Sequence, residues 1–129
     1  MMHCIYIAAK FEMRPVLVAI TPLIAATCHE ILSSWLFRRG SAEAVQEARE
    51  DLEDLAAATL FILDTSFPGG SGCEVELGFA LARGIPVWIV GPQRNIFHHL
   101  PTIRFFASWQ EVLCELSTLE QLAPTTPER

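Results

Sequence analysis

Short apolar runs recur along this chain, each about the length of one β-strand, and longer segments with a helical pattern separate them. The clearest runs are Ile5–Ala9, Thr59–Leu63 and Pro86–Val90, which are almost wholly apolar. Strands that are apolar on both sides are typical of a parallel sheet covered by helices. Strands that alternate with helices also imply right-handed βαβ crossovers. The pattern therefore predicts an α/β fold with a parallel sheet at its centre.

Two more strands and four helices complete the predicted fold. The strands are expected at Ile31–Phe37 and Ile103–Phe106, and the helices at residues 12–28, after a cap at Ser41, at 73–83 and at 109–119. Pro22 is expected to kink or split the first helix. Five parallel strands with helices on both faces correspond to a flavodoxin-like doubly wound fold. In such folds ligands bind beyond the carboxyl ends of the strands.

The second helix has apolar residues at steps of three and four, which predicts that Val45, Ala48, Leu52 and Leu55 face the core. Asp51 falls on the edge of that inward face. The other acidic residues of the segment are expected on the solvent side, namely Glu43, Glu47, Glu50 and Asp54.

Length and charge narrow the class of protein. With 129 residues, the chain has room for one domain, predicted at 1–119, and for a frayed tail at 120–129 that contains two prolines. A net charge of −6 leaves no basic surface for a nucleic-acid polymer. Since no apolar run reaches the roughly 18 residues of a membrane span, we expect no membrane association. An unprocessed cytoplasmic protein is the expectation.

The four cysteines, Cys4, Cys28, Cys73 and Cys114, lie far apart in apolar surroundings and do not cluster with the histidines. This spacing fits neither a disulfide framework nor a metal site. We expect buried, unreactive thiols in a reducing compartment and no cofactor.

A glycine-rich loop carries the strongest functional signal. Gly70, Ser71 and Gly72 precede a helix in which Glu76 stands about one turn from the start. Backbone N–H groups of such a loop can surround an anionic or oxygen-rich ligand. The loop matches neither the dinucleotide-binding motif nor the triphosphate-binding loop. On these grounds Glu76 is equally compatible with catalysis and with simple complementation of the helix dipole.

The sequence resembles the nucleoside 2-deoxyribosyltransferase family and its relatives that hydrolyse deoxynucleotide N-glycosidic bonds, most strongly the compact phage and bacterial branch. The resemblance covers most of the chain and rests on Ile5–Ala8, His29–Ile31 with Ser34–Leu36, Asp51–Leu52, Glu76–Ala80 and Asn95–Pro101.

This resemblance implies a retaining transfer of 2-deoxyribose between nucleobases, with Glu76 attacking C1′ of the sugar. It assigns Asp51 to the neighbourhood of the base and sugar, and Tyr6 to positioning the nucleophile. It also implies a 2′-deoxynucleoside and a free nucleobase as ligands, and a homo-oligomer in which Asn95 completes a neighbour's site. The apolar first helix is expected to form the subunit interface.

The chain departs from the family at three places. Gly70 replaces an aspartate, Cys73 replaces a serine or threonine, and Lys10-Phe11 replaces a Gly-Pro pair. Lys10 and Phe11 are therefore candidate substrate-binding residues. Lys10 either reaches a substrate 5′-phosphate or forms a surface salt bridge.

Several alternatives remain open at this stage. The chain could be a deoxynucleoside 5′-monophosphate N-hydrolase, or a nucleotide-binding module without catalytic activity. Glu74 competes with Glu76 as nucleophile. His98-His99 is either a proton shuttle or a structural turn, and Trp35 either stacks on a base or packs in the core.

Overall fold

The computed structural model describes residues 2–38 and 43–121, with side chains described as far as Leu119. Within these ranges the strands form one five-stranded sheet, in the order β2-β1-β3-β4-β5, and all paired strands are parallel. The strands are β1 (Cys4–Ala9), β2 (Glu30–Ile31), β3 (Leu60–Asp64), β4 (Val87–Val90) and β5 (Arg104–Phe106). The predicted flavodoxin-like doubly wound fold is confirmed.

The helices are divided between the two faces of the sheet. They are α1 (Arg14–Ala25), α2 (Ala44–Ala56), α3 (Ser71–Ala82) and α4 (Trp109–Gln121), with 3-10 turns at Phe11–Met13, Ser34–Phe37 and Ile96–His99. One buried cluster joins α1 and α4 to the sheet, and the other joins α2 and α3 to its opposite face.

Strand β1 shows why the core has two sides. Ile5 and Ile7 belong to the cluster under α1 and α4, whereas Tyr6 and Ala8 belong to the cluster under α2 and α3. All four side chains are buried. Because successive side chains on a strand point to opposite faces, a strand buried on both must be apolar throughout. Tyr6 is the polar exception, and its hydroxyl has a hydrogen-bond partner, Glu76, on α3.

The strand predicted at Ile31–Phe37 is wrong, because β2 ends at Ile31 and residues 34–37 form a 3-10 turn. The N–H of Ile7 donates to the side-chain hydroxyl oxygen of Ser33, at 2.5 Å, where a neighbouring strand would have offered a carbonyl. Ser34 then donates from its N–H and its hydroxyl to Asp54. Serine side chains thus compete with the sheet ladder and turn the chain toward α2.

Pro22 does not split the first helix, which is continuous over Arg14–Ala25. A proline lacks the N–H that would bond to the carbonyl four residues earlier. Here that carbonyl belongs to Val18, and it accepts a hydrogen bond of 2.8 Å from the Thr21 hydroxyl. The helix buries only Leu17, Thr21 and Ile24, so its apolar outer side remains exposed.

The predicted inward face of the second helix is correct for Leu55 and Asp51 but wrong for Val45, Ala48 and Leu52. In α2 Leu55 is the buried residue, while Val45 and Leu52 are 62% and 38% exposed. The acidic stripe that includes Asp51 and Asp54 instead faces the protein, because Ser34 and Arg38 supply its hydrogen-bond partners. The predicted cap at Ser41 lies outside the described residues.

The last helix begins as predicted, since the N–H of Glu111 donates to the Ser108 hydroxyl and the Glu111 carboxylate accepts from the N–H of Ala107. It continues to Gln121, and most of the predicted tail, residues 122–129, lies outside the described part of the chain. Within the described ranges, none of the helices is both long enough and apolar enough to cross a membrane.

The expectation of buried thiols is wrong for two cysteines. Cys28 and Cys114 are exposed, and Cys4 and Cys73 are partly buried. Cys28 follows the end of α1 and has a φ of 68°. This left-handed conformation turns the chain outward between α1 and β2. All four cysteines are free.

Candidate active site

A cavity of about 330 Å³ opens between the carboxyl end of β1, the start of α3 and the inner side of α2. Its lining includes seven of the residues predicted from the sequence, namely Tyr6, Lys10, Phe11, Asp51, Gly70, Gly72 and Glu76, together with Trp35, Arg14, Arg38, Glu47 and Cys73. Strand order reverses between β1 and β3, and ligands of doubly wound sheets bind at this point.

Tyr6 and Glu76 form the centre of this cavity. The Tyr6 hydroxyl donates a hydrogen bond of 2.7 Å to Oε2 of Glu76. Tyr6 is fixed because its ring is fully buried in β1 and lies parallel to that of Phe61, with 6.1 Å between ring centroids. Glu76 is fixed by its position in the first turns of α3. A rigid strand and a rigid helix therefore hold the donor and the carboxylate together.

Burial raises the pKa of Glu76 to about 7, while the Tyr6 hydrogen bond opposes this rise and the nearby charge of Asp51 adds to it. Burial, together with the charge of Glu76, raises the pKa of Tyr6 far above its ordinary value, so the phenol keeps its proton. Near neutral pH, Glu76 is thus divided between its charged and neutral forms. Such a carboxylate can act as a nucleophile or exchange a proton.

Asp51 reaches the cavity from α2 and forms an ion pair with Arg38, whose Nη2 lies 3.0 Å from Oδ1 of Asp51. Burial raises the pKa of Asp51, and the hydrogen bond from Arg38 partly offsets that rise. Arg38 also contacts Glu50 at 3.3 Å and Glu47 at 3.8 Å. Arg14 fixes the backbone beneath it by donating to the carbonyl oxygens of Leu36 and Arg38.

The glycine-rich loop lies against Lys10. Gly69 and Gly70 have φ values of 90° and 93°, a region that side chains other than glycine rarely adopt. A Cβ on Gly70 would lie 3.4 Å from the sulfur of Cys73, and one on Gly69 would lie 3.7 Å from Nζ of Lys10. A side chain at Gly69 or Gly70 would therefore strain this part of the loop.

Lys10 and Trp35 border the cavity on other sides. Nζ of Lys10 donates to the carbonyl oxygen of Pro68 at 3.3 Å, and Lys10 makes no salt bridge to any carboxylate of the described chain. The indole N–H of Trp35 donates to the carbonyl oxygen of Ile7 at 2.8 Å, which fixes its ring plane. Trp35 packs in the core and also lines the cavity, so both of its predicted roles fit its position.

Two predicted binding residues, Ser71 and Asn95, line a neighbouring cavity of about 600 Å³. There the Asn95 amide donates to Glu74 of its own chain at 3.0 Å. Nδ1 of the fully buried His98 accepts from the N–H of Arg94, and its Nε2 lies 3.1 Å from Glu74. These contacts favour the structural turn over the proton shuttle. They also direct Glu74 away from Glu76.

Three cavity residues were missed from the sequence: Arg14, Arg38 and Glu47. The signal for Glu47 was present, because Glu47, Asp51 and Asp54 recur at the helical spacing of four and three residues and so share one face of α2. The sequence predicts Asp51 on the inward edge of the helix but Glu47 and Asp54 on its solvent side. In the described residues, no group of three or more His, Cys, Asp or Glu side chains is placed to hold a metal ion.

No protein-family model matches the sequence, and no curated protein matches it. Solved structures do match it. A conserved protein from Enterococcus faecalis is 16% identical, with a TM-score of 0.71, and the alignment covers 92% of this chain and 99% of that one.

Two further matches are enzymes. A 2-deoxyribosyltransferase from Bacillus psychrosaccharolyticus is 19% identical, with a TM-score of 0.70 and coverage of 87% of this chain and 94% of that one. A CMP N-glycosidase from Clostridium botulinum is 16% identical, with a TM-score of 0.68 and coverage of 88% and 98%. The fold expected from the family resemblance is confirmed: the chain has the doubly wound fold found in a 2-deoxyribosyltransferase and a CMP N-glycosidase.

Proposed function

We propose that this protein is a nucleoside 2-deoxyribosyltransferase-like enzyme that cleaves the N-glycosidic bond of 2′-deoxynucleosides and passes the sugar to a second base or to water. The hydrogen bond between Tyr6 and Glu76, in a cavity that also contains Asp51, is the observation that carries the proposal. The fold and the sequence resemblance support it.

In the first step, a carboxylate oxygen of Glu76 forms a bond to C1′ as the bond from C1′ to the base nitrogen breaks. The electron pair leaves with the base, and Asp51 in its protonated form supplies a proton to that nitrogen. In the second step, the nitrogen of another base or a water oxygen attacks C1′ and releases Glu76, while Asp51 accepts the proton. Two inversions restore the starting configuration, and one difficult displacement becomes two easier ones.

Tyr6 contributes to both steps. Its hydroxyl donates to Oε2 of Glu76, so it orients the carboxylate and favours the ionised form that attacks. Because burial holds its proton firmly, Tyr6 remains a donor throughout the neutral range.

A direct test is incubation with single deoxynucleosides, with and without a second free base, followed by chromatography. Exchanged nucleoside indicates transfer, and free base with free sugar indicates hydrolysis. Glu76→Gln should lower the rate by several orders of magnitude. Glu74→Gln is the matched control, because it lies two residues away on the same helix and contacts His98 instead. Turnover by Glu76→Gln close to the wild-type rate would refute the assignment.

The second candidate is hydrolysis of deoxynucleoside 5′-monophosphates, and the position of Lys10 favours it. This ammonium group lies beside the glycine-rich loop and forms no salt bridge with the described carboxylates. Gly70 stands where the resembled family often has an aspartate, so this position beside Lys10 carries no negative charge. Under this alternative, Lys10→Gln raises KM for the monophosphate much more than KM for the nucleoside. If the protein is instead a nucleotide-binding module without catalytic activity, it should bind both the monophosphate and the nucleoside and cleave neither.

We also propose a homo-oligomer, in keeping with the family resemblance. Val16 and Leu23 on the outer side of α1 are 51% and 54% exposed, and such apolar side chains on one helix suit a subunit interface. To complete a neighbour's active site, Asn95 would have to break its hydrogen bond to Glu74 of its own chain. Light scattering that shows a monomer at micromolar concentration would contradict the oligomer.

A further inference from the structure

Asp54 on α2 contacts the turn that borders the cavity. Its Oδ2 accepts hydrogen bonds from the N–H of Ser34 at 3.0 Å and from the Ser34 hydroxyl at 2.5 Å. The turn that begins at Ser34 carries Trp35, and Arg38 follows it directly. Both of these side chains line the cavity, whereas Asp54 itself does not. Any effect of Asp54 on a ligand must therefore pass through its neighbours.

Asp54 also lies one helical turn from Asp51, the proposed proton donor. Side chains three residues apart share one face of a helix, with about 5 to 6 Å between their Cβ atoms. The partners of Asp54 are the neutral N–H and hydroxyl groups of Ser34, and no cation of the described residues forms a salt bridge with it. Direct contact with a cation therefore does not neutralise its charge. A like charge at this distance disfavours the ionised form of Asp51.

Arg38 has the opposite effect on Asp51. Its Nη2 lies 3.0 Å from Oδ1 of Asp51, and such a contact favours the ionised carboxylate. Burial raises the pKa of Asp51, Arg38 lowers it, and the charges of Asp54 and Glu47 raise it again. The other charged or titratable side chains that line the cavity are Tyr6, Lys10, Arg14, Cys73 and Glu76. Asp54 is thus one of two carboxylates on α2 that oppose Arg38, and it is the one that makes no contact with this arginine.

Resting on the proposed function, we propose that Asp54 is a positioning residue that acts through Asp51. Its charge favours the protonated Asp51 that gives its proton to the departing base nitrogen, and its hydrogen bonds to Ser34 hold that charge in place. Asp54 exchanges no proton in the reaction and touches no substrate. Its effect must therefore depend on how much the departing base needs a proton.

The test compares pairs of substrates that differ in this need. In the first pair, 2′-deoxyguanosine is set against 7-methyl-2′-deoxyguanosine, whose positively charged base leaves without an added proton. In the second pair, 2′-deoxyuridine is set against 5-fluoro-2′-deoxyuridine, whose electron-poor base is the better leaving group. Each substrate is supplied as the nucleoside and as the 5′-monophosphate. The measurement is kcat/KM for release of the base, from pH 6 to pH 8.5.

Three variants of the full chain separate the charge of Asp54 from its contact with the turn. Asp54→Asn removes the charge and keeps an oxygen that can accept from Ser34. Ser34→Ala keeps the charge and removes one of the two donors. Glu53→Gln is the matched control, because it removes one negative charge from the adjacent, exposed position of α2.

We expect Asp54→Asn to lower kcat/KM for 2′-deoxyguanosine at least about threefold more than for its methylated partner, the effect of a like charge about 6 Å away in a watery environment. The pyrimidine pair should differ in the same direction. The difference should be largest at the alkaline end, where protonated Asp51 is scarcest. Ser34→Ala and Glu53→Gln should leave the ratio within each pair unchanged.

An equal loss for both members of a pair would show that Asp54 only supports the fold, and would overturn the inference. No loss in Asp54→Asn, or the same change of ratio in Glu53→Gln, would overturn it as well. If the wild type cleaves these substrates but the ratio does not respond to Asp54→Asn, the proposed function stands and the role of Asp54 fails. If the wild type cleaves none of them, the proposed function fails and the role of Asp54 fails with it.

Discussion

Replacement of Tyr6 by phenylalanine removes one hydroxyl from a fully buried ring and changes little else in the packing. The group that loses a partner is Oε2 of Glu76, which accepts the Tyr6 hydrogen bond at 2.7 Å. That bond opposes the effect of burial on Glu76, whose pKa is about 7. Without it, the charged form of Glu76 is less stable, and its pKa must rise.

The size of the effect follows from the strength of the hydrogen bond. A bond to a charged group contributes about 1.5 to 3 kcal/mol, and one pKa unit corresponds to about 1.4 kcal/mol, so the pKa should rise by about one to two units. Near pH 7 about half of Glu76 is ionised in the wild type. In Tyr6→Phe the ionised fraction falls to about one tenth or less, and kcat/KM should fall roughly five- to fiftyfold.

The assay is kcat/KM for release of free base, measured from pH 5.5 to pH 10, since kcat/KM reports ionisations of the free enzyme. Because Glu76 must be ionised to attack, the rate rises with pH through its pKa. With a substrate whose base leaves without a proton from Asp51, this rise should move to higher pH in Tyr6→Phe by about one to two pH units, and most activity should return near pH 10. Trp35→Phe is the control, because it alters the cavity without touching Glu76. A uniform loss at every pH, with the rise unmoved, would refute this account of Tyr6.

Three further outcomes test the structure independently. Glu76→Gln should stabilise the fold at high pH, because the pKa of Glu76 is about 7 in the folded chain and 4.5 in the unfolded chain. The stability that Glu76 contributes below pH 4.5 is lost as the pH rises through 7, and glutamine avoids this loss. Denaturant titrations above pH 8 should therefore show a free energy of unfolding about 3 kcal/mol higher in the variant. Gly91→Ala should lower the free energy of unfolding by about 2 to 3 kcal/mol, since Gly91 has a φ of 110° and a Cβ would lie 2.7 Å from the Thr65 hydroxyl. Gly78→Ala should raise it by up to about 1 kcal/mol, because Gly78 lies within α3 and a Cβ there would meet no atom within 4 Å. Iodoacetamide at pH 8 should label the exposed Cys28 and spare Cys73, whose pKa burial raises to about 12; equal labelling by mass spectrometry would contradict this.

Strands β1, β3 and β4 could be predicted from sequence because they are buried on both faces and are therefore almost entirely apolar. The strand predicted at residues 31–37 is wrong for a different reason. Ser33 and Ser34 use their side chains as hydrogen-bond partners, and the composition of a segment does not reveal where those partners lie.

For the site, spacing alone predicted that Glu76 follows the glycine-rich loop and that Asp51 lies on the inward edge of its helix. The resemblance supplied Tyr6. Arg38 could not be predicted, because its contacts with Glu47, Glu50 and Asp51 join two elements whose relative placement depends on the unforeseen 3-10 turn at Ser34–Phe37.

The orientation of α2 has little net effect on the stability of one chain. Full burial would add about 1 to 2 kcal/mol for Val45, which is 62% exposed, and about 0.5 to 1 kcal/mol for Leu52, which is 38% exposed. The partly exposed ion pairs of Arg38 that hold the opposite face inward contribute about 0 to 1 kcal/mol each. The two contributions are of similar size, and the observed orientation brings Asp51 into the cavity.

The outward position of Val45 has a testable consequence. Val45→Gln should change the free energy of unfolding of the monomer by no more than about 0.5 kcal/mol, because this side chain is already 62% exposed. Denaturant titration at nanomolar protein concentration measures the monomer, and the same titration at high concentration, with sedimentation, measures any assembly. A loss of several kcal/mol that appears only at high concentration would show that a second copy covers this face. The same loss at nanomolar concentration would show that α2 faces the other way and would remove Asp51 from the cavity.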